Sequence, residues 1–289
     1  MIKKYQTPVA FRRALEDRIK VKSRERGTDI QRMRRSVAFD RLLCRLFAST
    51  DNRWILKGGY AMELRIQAAR ATKDIDLSLP AGVLQGDEKD QNRILHEMLQ
   101  NAAGKNLDDF FTFVIGEPMC DLDAAPHGGA RFPVTSTIAG KAYVSFHLDL
   151  GIGDVFDEPF EVFTGTDWLG FAGIPAGKYQ GLSKEGQFSE KLHAYTFPRS
   201  ERKNSRVKDL VDMLILINLG LEPARLQNAV NKTFLRRKTH LLPEALESPP
   251  DFWKQPYTHL AKECGLSESI ENGFSQISTF YDQYLSSIG

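Results

Sequence analysis

Cysteine is scarce in this sequence, and several familiar catalytic loops are missing from it. There is no GxxxxGK(S/T) loop, which disfavours a P-loop ATPase, and no GxSxG elbow, which disfavours a serine hydrolase. The cysteines lie far apart in the chain, without a CxxC pair or a clustered histidine: Cys44, Cys120 and Cys264. This pattern argues against a structural zinc site or a disulfide framework and is typical of a reducing cytosol.

Long hydrophobic runs are also missing. The N-terminus has no apolar stretch of the signal-peptide kind. The longest apolar run, around residues 210–221, is too short to cross a bilayer and contains Asp212 and Asn218. The content of 42% hydrophobic and 26% charged residues is ordinary for a globular chain of 289 residues. We therefore expect a cytoplasmic protein with no membrane segment.

The net charge of +2 conceals a strong local asymmetry. Residues 11–36 carry +6, residues 83–125 carry −6, and two further basic clusters follow at Arg199–Lys208 and Lys232–Lys238. Basic runs that converge in the fold would form a face for a polyanion such as a nucleic acid. The alternative is that each run is only the solvated face of a helix.

Helical and strand patterns divide the sequence into two parts. Residues 8–50 have apolar positions at three- and four-residue spacings, which are typical of helices, and Gly27 is expected to separate two of them. Alternating strands follow, and helical patterns then return. We predict an α/β (α+β) protein with a mixed-sheet domain over residues 1–180 and a helical domain over residues 181–289.

Further elements are predicted from the same periodicities. They are helices over 60–69, 88–103 and 207–219, a strand over 110–115, and two strands over 131–138 and 142–150 joined at Gly140. A turn is expected over residues 121–129, which contain Pro126 and a Gly-Gly pair.

Two short motifs carry the chemistry. Asp74 and Asp76, two residues apart on a strand, point to one side because side chains alternate across a sheet. Such carboxylates repel each other unless a cation neutralises them, and hard oxygen ligands suit Mg²⁺. Asp149, on the polar face of a later strand, would complete a site for two ions. The pair Gly58 and Gly59, directly after a strand, would let a triphosphate approach the backbone closely.

Each motif alone has an ordinary structural explanation. Many surface strands alternate without binding metal, and a Gly-Gly pair after a strand is often only a turn. The order and spacing of the motifs, with Lys57 before the glycines and Lys73 before the acids, are far more specific.

Residues 54–79 resemble the signature of the polymerase-β-like nucleotidyltransferase superfamily. They are most similar to its AbiEii-like branch, which includes toxins of type IV toxin–antitoxin and phage-defence systems. The shared features are the LKGG sequence, the RATKDID run, and a helical block with SEKLHAY before a basic loop and RVKDLVD after it. The family's usual Ser or Thr after the glycine pair is replaced by Tyr60, which could stack on a ligand or pack inside the protein.

The resemblance implies a polymerase-β-like nucleotidyltransferase core and a catalytic set drawn from both parts of the chain. Two Mg²⁺ ions held by Asp74, Asp76 and Asp149 would bind a nucleoside triphosphate, whose α-phosphorus a hydroxyl attacks with loss of pyrophosphate. Lys191 and Asp209 would act from the helical part. The residues expected against the nucleotide phosphates are Lys57, Gly58, Gly59, Lys73 and Lys191.

Two of these side chains have plain structural alternatives. Lys191 could pair with Asp209 or Asp212 only to orient two helices, which three- and four-residue spacings on a helix face allow. His147, beside Asp149 on the same strand face, could deprotonate an incoming hydroxyl or could be a neighbour whose hydrogen bonds are already satisfied.

The family also suggests the acceptor, a tRNA modified at its 3′ end, so that aminoacylation is blocked and translation inhibited. The expected regulator is an antitoxin encoded nearby that acts on expression rather than by tight binding. The basic side chains predicted to bind RNA are Arg12, Arg13, Arg34, Arg35, Arg202, Lys203, Arg206, Arg236 and Arg237.

Two other functions are considered. The same fold could transfer a nucleotide to a small molecule such as an aminoglycoside, or to a protein hydroxyl, and the acidic stretch over residues 83–125 favours this alternative. The chain could also be a non-catalytic nucleotide- or RNA-binding regulator, although such a protein would have no need to keep three mutually repelling acids.

Overall fold

A computed structural model describes most of the chain as two compact units. The first unit comprises residues 1–65, 71–154 and 161–181, and the second comprises 66–70, 155–160 and 182–289. The residues that the structure describes are 5–48, 54–66, 71–80, 82, 88–121, 128–154, 156, 159–199 and 205–288. The turn predicted over 121–129 and the last residues of the helix predicted over 60–69 lie largely outside them.

Two helices begin the first unit, α1 (Pro8–Arg26) and α2 (Ile30–Leu46). Thr7 caps the start of α1, and Gly27 ends it in the left-handed region at φ 59°. Asp29 then caps α2 by accepting a 2.8 Å hydrogen bond from the backbone amide of residue 32. These caps explain why the predicted helical region divides at Gly27, as the sequence indicated.

A mixed sheet follows, with eight strands among the described residues in the order β3-β5-β6-β2-β1-β8-β7, and with β4 paired to β5. The β2–β6 and β1–β8 pairs are parallel, and the other pairs are antiparallel. The strands are β1 (Ile55–Lys57), β2 (Asp74–Pro80), β3 (Phe111–Ile115), β4 (Cys120–Asp121), β5 (Gly129–Ile138), β6 (Lys141–Asp154), β7 (Glu161–Thr164) and β8 (Lys178–Gly181).

The core of this unit lies on one face of the sheet. Alternate residues of β2 and β6, among them Ile75, Leu77, Leu148 and Leu150, are fully buried. They belong to one apolar cluster with side chains of α2 and of α4 (Glu88–Ala103). The alternation leaves the polar residues of the same strands on the opposite face, which is the arrangement that the sequence predicts.

A buried ion network joins α2 to the segment before β3. The carboxylate of Asp109 accepts hydrogen bonds from Arg41 at 2.8 Å and from Arg45 at 2.6 and 2.8 Å, and all three side chains are at most 3% exposed. Both oxygens of Asp109 are therefore satisfied by guanidinium groups, which is the condition for burying such charges.

The second unit is helical. The mostly buried helix α6 packs against α5, α8 and α9, while α5 also packs against α7. A short 3₁₀ turn over Asp251–Trp253 precedes α8. The helices are α5 (Lys184–Thr196), α6 (Val207–Asn218), α7 (Pro223–Arg237), α8 (Lys254–Glu263) and α9 (Ile270–Ile288).

The fold class predicted from the sequence, a mixed sheet followed by a helical bundle, is confirmed. Some bounds differ. A short helix, α3 (Gly58–Arg65), begins directly after β1 rather than at Tyr60, so the glycine pair is its first turn, and the strand predicted over 142–150 extends to Asp154. Within the described ranges no helix is long and apolar enough to cross a membrane.

Asp40 should make stability depend on pH. It is buried beside Arg41 and accepts a 2.5 Å hydrogen bond from the Tyr179 hydroxyl, yet desolvation raises its pKa to about 6 from 3.8. A raised acid pKa favours the neutral form in the fold, so stability present below pH 4 is lost as the pH rises through 6. We expect Asp40→Asn to stabilise the protein by about 1–3 kcal/mol at pH 8 and not at pH 4 in urea unfolding.

Asp109→Asn is the matched comparison, because it removes a carboxylate from the same network. Its two arginine partners lower the pKa of Asp109 in spite of burial, so its stabilisation is present at neutral pH and is lost as the solution is acidified. The variant should lose about 3–5 kcal/mol at pH 8. If Asp40→Asn were less stable than the parent at pH 8, the prediction for Asp40 would be contradicted. The attraction between Asp40 and Arg41 would then outweigh the desolvation of the carboxylate.

Candidate active site

Four charged residues form a row across four neighbouring strands of the sheet. In the strand pairing, Lys57 of β1 lies opposite Asp76 of β2, Asp76 lies opposite Asp149 of β6, and Asp149 lies opposite Arg131 of β5. Residues in register on adjacent strands point to the same face. We call this set the charged row: two carboxylates at the centre, with one cation at each end.

Within the charged row, Arg131 of β5 makes a direct side-chain contact with Asp149 of β6. Arg131 donates from Nε to Asp149 Oδ1 and from Nη2 to Asp149 Oδ2, both at 2.7 Å. Its Nη2 also lies 4.0 Å from Asp74 Oδ2. The Arg131 side chain is 36% exposed and that of Asp149 is 15% exposed. A two-pronged guanidinium contact of this kind both neutralises the carboxylate and fixes its orientation.

Asp76 rests against the glycine pair. The Gly59 backbone amide donates to Asp76 Oδ2 at 3.4 Å. Gly58 has φ 65°, and a side-chain carbon at this position would collide with the Asp76 carboxylate. Only glycine therefore permits this close approach between the first turn of α3 and the carboxylate.

Asp74 begins β2, and Lys73 immediately precedes the strand. The Asp74 carboxylate is 33% exposed, and His147, its register partner on β6, places Nδ1 3.3 Å from Asp74 Oδ1. The contact supports the interpretation of His147 as a neighbour that already has a partner. Lys73 is exposed.

Lys57 has a partner that the sequence did not indicate. Its ammonium forms a close ion pair with the buried carboxylate of Asp154 at the end of β6. Ser78 of β2 places its hydroxyl 2.8 Å from the same carboxylate. Lys57 is thus held on the site face by a residue 97 positions away in the chain.

Tyr60 packs inside the protein. It is 2% exposed, makes an edge contact with Phe39 at 5.1 Å between ring centroids, and its hydroxyl donates to the Ser36 carbonyl at 3.3 Å. Burial raises the pKa of Tyr60 well above its ordinary value. Of the two roles considered for this residue, packing is the one that the structure shows.

In the second unit, Lys191 lies between two acids of α6. Its ammonium is 2.9 Å from Asp209 Oδ1 and 3.1 Å from Asp212 Oδ2, and these carboxylates are 5% and 1% exposed. Arg206 adds a contact to Asp209 at 3.5 Å. The lysine therefore joins α5 to α6, and its position is fixed by two buried negative charges.

Several arginines predicted to bind RNA already have partners. Arg12 donates to the carbonyls of Ile138, Lys141 and Ala142 at 2.9–3.0 Å, and Arg34 forms a forked ion pair with Glu16. Of the other predicted residues, Arg13 and Arg206 are exposed, whereas Arg35 and Arg236 are half-buried. Arg237 lies 3.5 Å from Glu190. Arg202 and Lys203 lie outside the described residues.

The sheet face suits a divalent cation in its chemistry and position. Asp74, Asp76 and Asp149 offer hard oxygen ligands on adjacent strands, and the glycine pair leaves room for the Asp76 carboxylate. In the part of the chain that the structure describes, however, no three acidic, histidine or cysteine side chains form a ready-made metal cluster. Both oxygens of Asp149 are occupied by Arg131 instead.

The comparison with protein families decides which family the chain represents. The model of the family described as nucleotidyl transferase AbiEii toxin, type IV toxin–antitoxin system, matches residues 41–277, which is well over half of the chain. The chain belongs to the AbiEii family. The family resemblance seen in the sequence is confirmed.

Two solved structures are similar to this AbiEii-family chain. MenT4, a nucleotidyltransferase toxin from Mycobacterium tuberculosis, is 15% identical with a TM-score of 0.49, and the match covers 70% of this chain and 63% of MenT4. The chain thus spans less than two thirds of the length of MenT4. A candidate nucleotidyltransferase from H. pylori is 15% identical with a TM-score of 0.42, and the match covers 88% and 96% of the two chains. No curated protein matches.

Arg131 and Asp154 are the residues at this site of the AbiEii-family chain that sequence reasoning missed. Arg131 lies in a strand that the sequence predicts, and Asp154 follows a predicted strand, but neither belongs to a recognisable motif. Charge alternation alone could have suggested Arg131, since β5 places it among apolar and small residues. Its partner could be identified only from the strand register.

Gly58→Ala should test the contact between the glycine pair and Asp76. Alanine would add both left-handed backbone strain, of about 1–2 kcal/mol, and a collision with the carboxylate, so we expect loss of activity and lower stability. Gly27→Ala is the matched control, because Gly27 has φ 59° and open space around it. Thermal unfolding would compare the stability of the two variants, and activity assays would compare their function. Equal effects of the two variants would contradict the collision.

Lys191→Met should lower the stability of the helical unit. Removing the lysine leaves Asp209 and Asp212 buried without it, at a cost of about 3 kcal/mol or more in urea unfolding. Adding Asp212→Asn should restore part of that loss, because one of the two buried charges is then gone. Single Asp212→Asn is the control, and a Lys191→Met variant as stable as the parent would contradict the assignment.

Proposed function

We propose that this chain is a Mg²⁺-dependent nucleotidyltransferase toxin that transfers a nucleoside monophosphate from a nucleoside triphosphate to the 3′ end of a tRNA. The observation that carries the proposal is the charged row beside the glycine pair, in a member of the AbiEii family. The family supports the reaction class, and the tRNA acceptor and Mg²⁺ are our extension of it.

The carboxylates of Asp74, Asp76 and Asp149 are the groups that would hold the metal. When bound, two divalent ions at such a site neutralise the carboxylates and the charge of a triphosphate. Asp76 is the residue best placed for this role among the three. Its register partners on both sides belong to the charged row, and the glycine backbone lies directly against it.

The chain's own cations have separate roles in the proposal. Exposed Lys73 is available to a polyphosphate, whereas Lys57 is held beside Asp154 and balances the negative charge at the end of β6. Lys191 of the second unit is proposed as a further phosphate contact. It is a compact point charge already set in place by Asp209 and Asp212, which suits a phosphate oxygen.

An RNA acceptor is supported by two exposed members of the predicted RNA-binding set, Arg13 of α1 and Arg206 before α6. Neutralisation of RNA phosphates by such residues releases counterions, so binding should weaken steeply with salt. A nucleotide added to the tRNA 3′ end would block aminoacylation and inhibit translation. We propose an antitoxin as the genetically linked partner, acting on expression.

The small-molecule alternative receives less support from the described residues. It depended on acidic side chains over 83–125 that could hold a cationic antibiotic. Asp109, one of these acids, is instead buried in the arginine network of α2. A carboxylate that accepts three guanidinium hydrogen bonds is not available to a ligand.

Asp76→Asn should abolish nucleotide transfer with little change in stability. The amide keeps the shape of the side chain but removes the negative charge that a divalent ion requires. The measurement is incorporation of labelled nucleotide from each of the four triphosphates into total RNA, protein and small-molecule fractions, with Mg²⁺ or EDTA. Transfer should fall by about a thousandfold or more, the scale of lost electrostatic catalysis.

Asp17→Asn is the matched control, since Asp17 lies on the exposed surface of α1, where its carboxylate is 3.9 Å from the ammonium of Lys20. It should label RNA like the parent. The RNA proposal fails if the parent labels no RNA, or if Asp76→Asn labels every RNA that the parent labels. Label that appears only in the protein or small-molecule fraction would identify a different acceptor.

A further inference from the structure

The forked contact between Arg131 and Asp149 places a protein cation where the proposed function requires a metal ion. Both Asp149 oxygens accept from Arg131 at 2.7 Å, and the same guanidinium lies 4.0 Å from Asp74. A carboxylate oxygen that is already held by a guanidinium is a poor ligand for a second cation. A dipositive ion at the same carboxylates would also be repelled by the guanidinium.

Arg131 can release Asp149 without a change of backbone. Its backbone is fixed by pairing on both sides, with Cys120 of β4 and with Asp149 of β6. Its side chain, by contrast, is 36% exposed, so the guanidinium can leave the carboxylate for solvent or for an anionic ligand. Water reaches this ion pair and allows it to open, although its two charge-assisted hydrogen bonds make it stronger than an ordinary surface pair.

The buried network of the same unit shows the opposite case. Arg41 and Arg45 hold Asp109 with equally short contacts, but their side chains are 3% and 1% exposed. Those guanidinium groups have no route to water, and their contact is structural. The contact of Arg131 has the same chemistry in a place from which it can open.

We propose that Arg131 competes with divalent cations for Asp149, so that it sets the metal affinity of the site. This inference rests on the proposed metal-dependent function and assigns to Arg131 a positioning role rather than a catalytic one. While Arg131 holds Asp149, that carboxylate is neutralised without metal. Metal loading then requires the guanidinium to be displaced.

The test is the affinity of the full-length protein for Mn²⁺, measured by electron paramagnetic resonance of the free ion and by calorimetry. Arg131→Gln should bind Mn²⁺ about tenfold or more tightly than the parent, because a charge-assisted double hydrogen bond no longer has to be broken. The Mn²⁺ affinity of Arg131→Lys should lie between those of the parent and Arg131→Gln, since lysine keeps the positive charge but cannot form the two-pronged contact. Adding Asp149→Asn to Arg131→Gln should remove the gain.

Arg34→Gln is the matched control. Arg34 forms a forked ion pair of similar partial exposure with Glu16, at a place remote in sequence from the three acids. It should leave Mn²⁺ affinity unchanged. A gain of the same size in Arg34→Gln would show that loss of any surface arginine raises the affinity, and it would overturn the inference.

The outcomes separate this inference from the proposed function. Unchanged or weaker Mn²⁺ binding by Arg131→Gln, with binding that Asp76→Asn removes, overturns the competition and leaves the metal site intact. Absence of Mn²⁺ binding in every variant overturns the metal-dependent function and this inference together. If circular dichroism shows that Arg131→Gln does not fold, the Arg131→Lys variant decides, and no gain in that variant overturns the inference.

Discussion

Repulsion between neighbouring carboxylates is the constraint on which this structure depends. Adjacent strands lie about 4.8 Å apart, and two unit negative charges at about that distance repel by about 3 kcal/mol in a partly exposed protein environment. Asp76 and Asp149 occupy such positions, and Arg131 at one end of the row neutralises Asp149, while Lys57 at the other end adds positive charge that it shares with Asp154. The fold can therefore keep the carboxylates together before any ligand arrives. A ligand that brings positive charge must replace part of that internal balance.

The rest of the first unit makes the row possible. The face opposite the row is apolar and closed by α2 and α4, so the strand register cannot slip without exposing Leu77 or Leu148 to water. The arginine network around Asp109 adds a second fixed point, because its charges are satisfied only when α2 and the segment before β3 meet. Because packing on the apolar face fixes the strand register, it also determines which side chains become neighbours on the opposite face.

Local chemistry explains how much of this could be predicted from the sequence. The alternation over residues 73–79 and the polar face of Asp149 follow from side-chain periodicity, and the RATKDID run carries the family resemblance. The partners of the cations could not be predicted. Lys57 and Asp154, or Arg131 and Asp149, meet only through strand pairing, and a basic run does not reveal that Arg12 binds three carbonyls. Charge clusters in a sequence thus overestimate the surface available to RNA, because part of each cluster serves the fold.

Burial decides which of these internal ion pairs can give way to a ligand. Lys191 faces two carboxylates that are 5% and 1% exposed, and these two buried negative charges hold the lysine strongly. Arg131 is 36% exposed and lies against Asp149 with Asp74 at 4.0 Å, so it can leave its carboxylate at a lower cost than a buried cation. In the proposed function, a phosphate at Lys191 would share the lysine with two buried acids, whereas a divalent ion at Asp149 would displace the partly exposed guanidinium of Arg131. The affinity for each ligand would therefore depend on the difference between two free energies: that of the new contact with the ligand and that of the internal ion pair it disrupts. The more buried the internal pair, the more its disruption costs.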